Sequence, residues 1–178
     1  MKYPTIFHLI AELAERNAVS VVLIGGFAVN HYKVTRQTAD VDFLITKEGF
    51  EKILGQLEKE GFKKGYSQEV FAQLSAPDAY LMDIDFMFVG RDTLAKIIAE
   101  AQETSIAGKK FMVPSLRHLI ALKLHAIKYN PGIREYKDLT DIIELIKVNA
   151  LRYKDDEFKV LCLRYGSEEL YRKILERL

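Results

Sequence analysis

The segment that decides the fold is VLIGGFAVNHYKVTRQTADVDFLIT, residues 22–46. It continues an apolar, β-branched run from residue 19 that stops at Gly25-Gly26, which predicts a buried strand breaking into a tight turn. A short helix is expected over residues 27–33. Residues 40–46 then have apolar side chains on both faces, which predicts a second central strand, and Asp40 and Asp42 share one face of it because strand side chains alternate.

The same pattern of two aspartates separated by one apolar residue recurs in a third predicted strand, residues 80–89, which carries Asp83 and Asp85. If the two acidic strands lie side by side, three or four carboxylates come together. Clustered anions are costly unless something positive compensates them, and a hard divalent cation with oxygen ligands is one solution. A basic side chain is the other. The cation alternative favours phosphoryl or nucleotidyl transfer, in which one ion holds a triphosphate and a second activates the attacking hydroxyl.

The remaining pattern predicts an α+β protein: a mixed sheet flanked by helices, followed by a helical C-terminal subdomain. Residues 62–76 are expected to be strand-like and residues 111–114 to form a short extended piece. We expect domains at residues 1–113 and 114–178 that pack with a cleft between them. Helical periodicity and end signals predict seven longer helices, at residues 5–17, 47–60, 91–104, 115–129, 136–149, 155–165 and 167–177.

Composition indicates an ordinary globular protein, with 49% hydrophobic and 29% charged residues among 178. The one cysteine, Cys162, lies in an apolar run and is expected to be a buried small hydrophobe, which fits a reducing cytoplasm. No signal peptide or membrane span is expected. The N-terminal half is net acidic and the C-terminal half net basic, but the net charge of +1 argues against a dedicated nucleic-acid-binding protein.

The order of strand, Gly25-Gly26, short helix, Arg36, Thr38 and the Asp40/Asp42 strand resembles the signature of the polymerase-β-like nucleotidyltransferase superfamily. Within it the chain is similar to the branch of small antibiotic nucleotidyltransferases and abortive-infection toxin-type proteins. Many members have Gly-Ser where this chain has Gly25-Gly26. The likeness continues into residues 114–116, 119–123 and 134–142.

The resemblance implies that Asp40 and Asp42 bind magnesium and that a third carboxylate completes the site, with Asp85 preferred and Asp83 as the alternative. By the same analogy Lys123 contacts the triphosphate and Asp138 is a polar residue of the cleft. The backbone N–H groups of Gly25 and Gly26 are expected to face a phosphate. Arg36 and Thr38 complete the predicted nucleotide contacts, although Arg36 could instead neutralise the aspartates or be an ordinary loop residue.

The sequence leaves several alternatives open. Lys123 could extend its amine into solvent from an apolar helix face. Asp138 and Asp141, three residues apart, are typical of a solvated helix face. Five tyrosines in the basic half are expected to serve helix packing before nucleobase stacking, namely Tyr129, Tyr136, Tyr153, Tyr165 and Tyr171.

The leading hypothesis is an enzyme that transfers a nucleoside monophosphate from an NTP, with two Mg²⁺ ions or Mn²⁺ in their place, to an unidentified hydroxyl acceptor. A small molecule, a tRNA end and a protein side chain all remain candidate acceptors. A toxin-type role would add an antitoxin partner. The alternative is a catalytically inactive module of the same fold that binds a nucleotide or a partner.

Overall fold

A computed structural model describes residues 3–78 and 80–178. The contacts divide the chain into two compact units. Unit 1 contains the residues up to Ala28 and Gln37–Pro114, and unit 2 contains Val29–Arg36 and Ser115–Leu178. The two units are defined by their internal contacts and need not fold independently. The domain boundary predicted between residues 113 and 114 therefore stays a prediction.

Unit 1 is built on a mixed sheet that has seven strands within the described residues. In spatial order the strands run β3, β4, β5, β2, β1, β7, β6. The β2–β5 and β1–β7 pairs are parallel and the other neighbours are antiparallel. The strands are β1 (Val22–Leu23), β2 (Asp40–Ile45), β3 (Lys63–Gln68), β4 (Phe71–Ser75), β5 (Asp83–Phe88), β6 (Gln102–Ile106) and β7 (Lys109–Val113).

Three helices of unit 1 contribute to its core: α1 (Ile6–Arg16), α3 (Lys47–Lys59) and α4 (Arg91–Ala99). Helix α1 buries the apolar stripe that its periodicity predicts, and Phe7 meets Phe111 of β7 edge-on at 5.7 Å between ring centroids. Thr46 caps α3 by accepting a hydrogen bond from the Gly49 N–H. One face of β2 and β5 is thereby held in an apolar core, which fixes the orientation of their other face.

Helix α2 (Gly25–His31) follows β1 directly, and unit 2 contains four further helices. These are α5 (Leu116–Tyr129), α6 (Pro131–Val148), α7 (Asp156–Tyr165) and α8 (Glu168–Arg177). Side-chain oxygens of Ser115, Asp155 and Ser167 cap α5, α7 and α8 by accepting backbone N–H groups. Within the described residues, no helix combines the length and the apolar character needed to cross a bilayer.

The predicted α+β fold class is confirmed, with differences in detail. The helix predicted over residues 91–104 ends at Ala99, and Gln102–Ile106 forms edge strand β6 instead. Residues 62–76 contain two strands, and the strand expected over residues 19–24 is confined to Val22–Leu23. Helix α6 begins at Pro131, five residues before the predicted start, because proline suits the first helical position.

Candidate active site

The acidic strands β2 and β5 are parallel neighbours in matched register. Asp40 lies opposite Asp83, and Asp42 lies opposite Asp85. Carboxylate oxygens of Asp40, Asp42 and Asp85 all lie within 4.8 Å of one another. The two strands therefore bring half-buried carboxylates together on the face of the sheet that the alternation predicts.

Asp83 lies on this face but is not part of the group of three. Its side chain is exposed, and its Oδ1 accepts a hydrogen bond from the Ala76 N–H at 2.8 Å. Within the described residues, the carboxylates that could share a cation are those of Asp40, Asp42 and Asp85. The geometry thus supports Asp85 over Asp83 as the third carboxylate of the predicted site.

Neighbouring side chains hold two of the three carboxylates. The Thr38 hydroxyl donates to Asp40 Oδ1 at 2.7 Å. The Gln73 amide Nε2 donates to Asp85 Oδ1 at 3.0 Å. The predicted nucleotide contact of Thr38 stays a prediction, and Gln73 was absent from the predicted site.

Glycine is required at positions 25 and 26 because other side chains lie very close to the backbone there. A Cβ on Gly25 would lie 1.8 Å from Asp42 Oδ2, and the Gly25 φ of +61° also disfavours a side chain. A Cβ on Gly26 would lie 2.7 Å from Thr38 Cβ. The diglycine therefore lets the turn pack against the residues that bear or hold the carboxylates. The predicted phosphate contact of its N–H groups stays a prediction.

The donor set fits a hard divalent cation. Three carboxylates from two strands offer several oxygens within one small volume, and oxygen ligands are what Mg²⁺ and Mn²⁺ prefer. The donors from Thr38 and Gln73 are uncharged, so neither cancels the negative charge that would attract a cation.

A second charged cluster lies in unit 2. Lys123 Nζ is 2.8 Å from Asp138 Oδ1 and 2.6 Å from Asp141 Oδ2, and Arg36 Nη1 is 3.0 Å from the same Asp141 oxygen. Lys123, Asp138 and Asp141 are buried, with 6%, 4% and 6% of their surfaces exposed. Two cations and two anions balance there, as burial of charge requires.

This cluster corrects two interpretations made from the sequence. The assignment of Asp138 and Asp141 to a solvated helix face is wrong, because Lys123 of α5 compensates both charges inside the unit. The alternative of a solvated Lys123 amine is wrong for the same reason. Asp141 was not among the predicted site residues, since its partners are 18 and 105 positions away in sequence.

Arg36 is fixed at both its backbone and its side chain. Its N–H donates to Asn30 Oδ1 at 2.7 Å, and its carbonyl accepts from Asn30 Nδ2 at 3.0 Å. Its guanidinium bonds Asp141. It is therefore an anchored residue of unit 2, and its predicted nucleotide contact stays a prediction.

The tyrosines of the basic half divide into two groups. Tyr153, Tyr165 and Tyr171 are half-buried, as helix packing predicts. Tyr129 and Tyr136 are 70% and 88% exposed, so the packing interpretation is wrong for these two.

Residues 3–177 match the family described as uncharacterised nucleotidyltransferase. The chain belongs to this family. Family membership confirms the predicted enzyme class, and the nucleotidyltransferase fold agrees with the predicted superfamily. No curated protein matches the sequence of this nucleotidyltransferase.

Solved structures of similar fold include two antibiotic-modifying proteins. The solution structure of the antibiotic-resistance factor ANT(2'')-Ia has a TM-score of 0.65 at 17% identity, over 95% of this chain and 92% of that one. A crystal structure of ANT(2'')-Ia in complex with adenylyl-2''-tobramycin gives 0.56 at 16%, over 97% and 96%. The lincomycin-bound lincosamide adenylyltransferase LnuA gives 0.54 at 19%, over 79% and 94%. At these identities the likeness concerns the fold.

Proposed function

We propose that this nucleotidyltransferase moves a nucleoside monophosphate from an NTP to a hydroxyl group, using divalent metal ions held by Asp40, Asp42 and Asp85. The observation that carries the proposal is the approach of these three carboxylates to within 4.8 Å beside the Gly25 turn. Several carboxylate oxygens within one small volume are the ligands that a metal-dependent transferase needs.

In the proposed reaction, the acceptor oxygen forms a bond to the α-phosphorus of the NTP while the bond from that phosphorus to the bridging oxygen breaks. Pyrophosphate leaves with the bonding electrons. One of the three carboxylates accepts the proton of the hydroxyl. A bound divalent ion would supply charge stabilisation for the triphosphate and make the hydroxyl more acidic. The chain itself contributes the positions of the carboxylates.

We also propose that Thr38 and Lys123 contact the nucleotide, and each contact can be tested separately. Thr38 already donates to Asp40, and Lys123 is engaged with Asp138 and Asp141. A Thr38→Val variant is expected to weaken metal binding more than it weakens the binding of metal-free NTP. A Lys123→Met variant with unchanged NTP affinity would remove Lys123 from the predicted triphosphate contacts.

The first acceptors to test are hydroxylated small molecules. Support comes from structural relatives that match this chain along most of both lengths and are described with adenylyl-tobramycin or lincomycin bound. A tRNA end is the second candidate, supported by a CCA-adding enzyme with ATP that has a TM-score of 0.50, although this chain covers only 46% of it. A toxin-type role with an antitoxin, and a reducing cytoplasmic location consistent with the free Cys162, remain part of the proposal.

The test is pyrophosphate release from each of the four NTPs, with and without Mg²⁺, in the presence of aminoglycosides, lincosamides or total tRNA. Mass spectrometry of the acceptor then identifies the transferred nucleotide. Asp42→Ala is expected to abolish turnover and to remain folded, because removing one of three clustered anions relieves repulsion. Binding of NTP and Mg²⁺ by Asp42→Ala as tight as in the parent would refute the site. Metal-dependent NTP binding without turnover across the panel would favour the inactive binding module.

A further inference from the structure

We propose that Gln73 is the positioning residue for Asp85 and thereby sets the affinity of the carboxylate group for a divalent cation. This inference rests on the proposed function. Gln73 and Asp85 are direct register partners on antiparallel strands β4 and β5. The Gln73 amide Nε2 donates to Asp85 Oδ1 at 3.0 Å.

The sheet forces Gln73 toward Asp85. Its neighbours on β4, Ala72 and Leu74, are fully buried on the opposite face. Because strand side chains alternate, the burial of these two residues fixes Gln73 on the face that bears the carboxylates. Directly paired residues of antiparallel strands have Cβ atoms about 5 Å apart, a distance that a glutamine side chain spans easily.

The chemistry of the donor matters as much as its position. An amide N–H orients a carboxylate oxygen without contributing charge, whereas lysine or arginine at position 73 would cancel the charge that draws a cation. The Thr38 hydroxyl likewise donates to an oxygen of Asp40. Two neutral donors on separate segments therefore fix the two carboxylates that flank Asp42.

Positioning of this kind has a measurable consequence. Without the Gln73 amide, the Asp85 oxygen that it holds is less well ordered before the cation binds, and the cost of ordering it appears as lost affinity. Partners that orient metal ligands typically contribute 10- to 100-fold in metal affinity or activity. Loss of the Gln73 amide should therefore weaken metal binding while the core side of β4 stays packed.

The experiment measures Mn²⁺ dissociation constants by electron paramagnetic resonance on the full chain without NTP. It compares Gln73→Met, which keeps the length of the side chain, with Gln73→Asn, which keeps the amide but draws it back by one methylene. Ser75→Ala is the matched control, since Ser75 is exposed two residues along the same face of β4. Urea midpoints report folding, and kcat and KM for NTP are followed at saturating Mg²⁺.

We expect both Gln73 variants to raise the Mn²⁺ dissociation constant by about 10- to 100-fold relative to Ser75→Ala, with a urea midpoint close to that control. At saturating Mg²⁺, kcat should fall more than KM for NTP rises. Mn²⁺ binding within twofold of Ser75→Ala, while Asp85→Asn binds weakly, would overturn the role of Gln73 and leave the proposed function intact. Unchanged Mn²⁺ binding by Asp85→Asn would overturn the metal site itself and this inference with it.

Discussion

Asp42 and Asp85 lie directly opposite each other on parallel strands β2 and β5, two residues along from the Asp40 and Asp83 pair. The two carboxylates of β5 nonetheless have different environments. The Asp85 carboxylate belongs to the group of three, whereas Asp83 accepts the Ala76 N–H at the exposed end of its strand. Asp83 and Asp85 offer a matched comparison, because the same substitution can be made at both positions.

Asp85→Asn should lower kcat/KM for the metal-dependent reaction by at least about 100-fold, since a ligand matters no less than the groups that orient it. Asp83→Asn should keep kcat/KM within about threefold of the parent, because its carboxylate serves a backbone N–H and lies outside the group of three. Pyrophosphate release at saturating Mg²⁺ measures both. Equal losses in the two variants would mean that the site includes Asp83 and that the assignment of the third carboxylate is wrong.

Gly25→Ala should both destabilise the protein and impair metal binding. The backbone at φ +61° costs about 1–2 kcal/mol for a residue with a side chain. In addition, the new methyl group would overlap Asp42 Oδ2 and push the carboxylate out of place. Urea denaturation and Mn²⁺ titration separate the two effects.

Gly108→Ala is the control for that variant. Gly108 has φ +74°, yet a Cβ there would meet nothing within 4 Å. It should therefore show the backbone cost alone and bind Mn²⁺ as the parent does. If Gly25→Ala also binds Mn²⁺ normally, the contact between the Gly25 turn and Asp42 has no part in the metal site.

The sequence predicted the elements that have strong periodicity. Strand β2 and helices α1, α3, α5, α7 and α8 lie within two residues of their expected bounds. Strand β6 was missed because Gln102–Ile106 is mostly polar and lies at the edge of the sheet, where only hydrogen bonds to β7 reveal a strand. Its pairing depends on residues 109–113, which no local pattern in residues 102–106 can specify.

The site was predictable where alternation alone decides it. Once β2 and β5 are neighbours, alternation places Asp40, Asp42, Asp83 and Asp85 on one face, but it does not choose between Asp83 and Asp85. Gln73 could have been found only from the antiparallel register of β4 and β5, and the sequence did not resolve the middle of residues 62–76. Asp141 was misread because polar residues at helical spacing usually face water, and its burial depends on Lys123 and Arg36.

Cys162 should be unreactive in the folded protein. It is fully buried in α7, and burial raises the pKa of its thiol to about 12, so the reactive thiolate is scarce near neutral pH. Reaction with a disulfide reagent at pH 8 should be slow without urea and rapid above the unfolding midpoint. Val160 lies on the same helix and is 61% exposed, so Val160→Cys combined with Cys162→Ala should react rapidly in the folded state.

The same thiol makes stability depend on alkaline pH. Its pKa is higher in the folded protein than the value of about 8.5 for an unfolded chain, so its contribution is complete below pH 8.5 and is lost as the pH rises toward 12. Between pH 8 and pH 10 the parent should lose about 1–2 kcal/mol more unfolding free energy than Cys162→Ala. Parallel losses in both proteins would show that the thiol ionises equally easily in the folded state.

Asp141→Asn should destabilise unit 2 strongly. Asp141 bonds Lys123 and Arg36 at one oxygen, and the Lys123 side chain is only 6% exposed. Removal of one partner from a buried ion pair typically costs about 3–5 kcal/mol, because the remaining charge stays buried without compensation. Urea denaturation measures the loss. Glu135→Gln, which removes a partner of the partly exposed Lys173, should cost about 0–1 kcal/mol.

Further substitutions can separate the cost of an uncompensated charge from the cost of lost packing. Lys123→Met in the Asp141→Asn background removes the positive charge that the first change left in excess, although it also leaves Asp138 without its lysine. Lys123→Met with Asp138→Asn and Asp141→Asn removes all three buried charges, and this triple variant should be more stable than Asp141→Asn alone. A triple variant less stable than the single one would mean that the hydrogen-bond geometry of the cluster, and not the balance of its charges, stabilises the packing of α5 against α6.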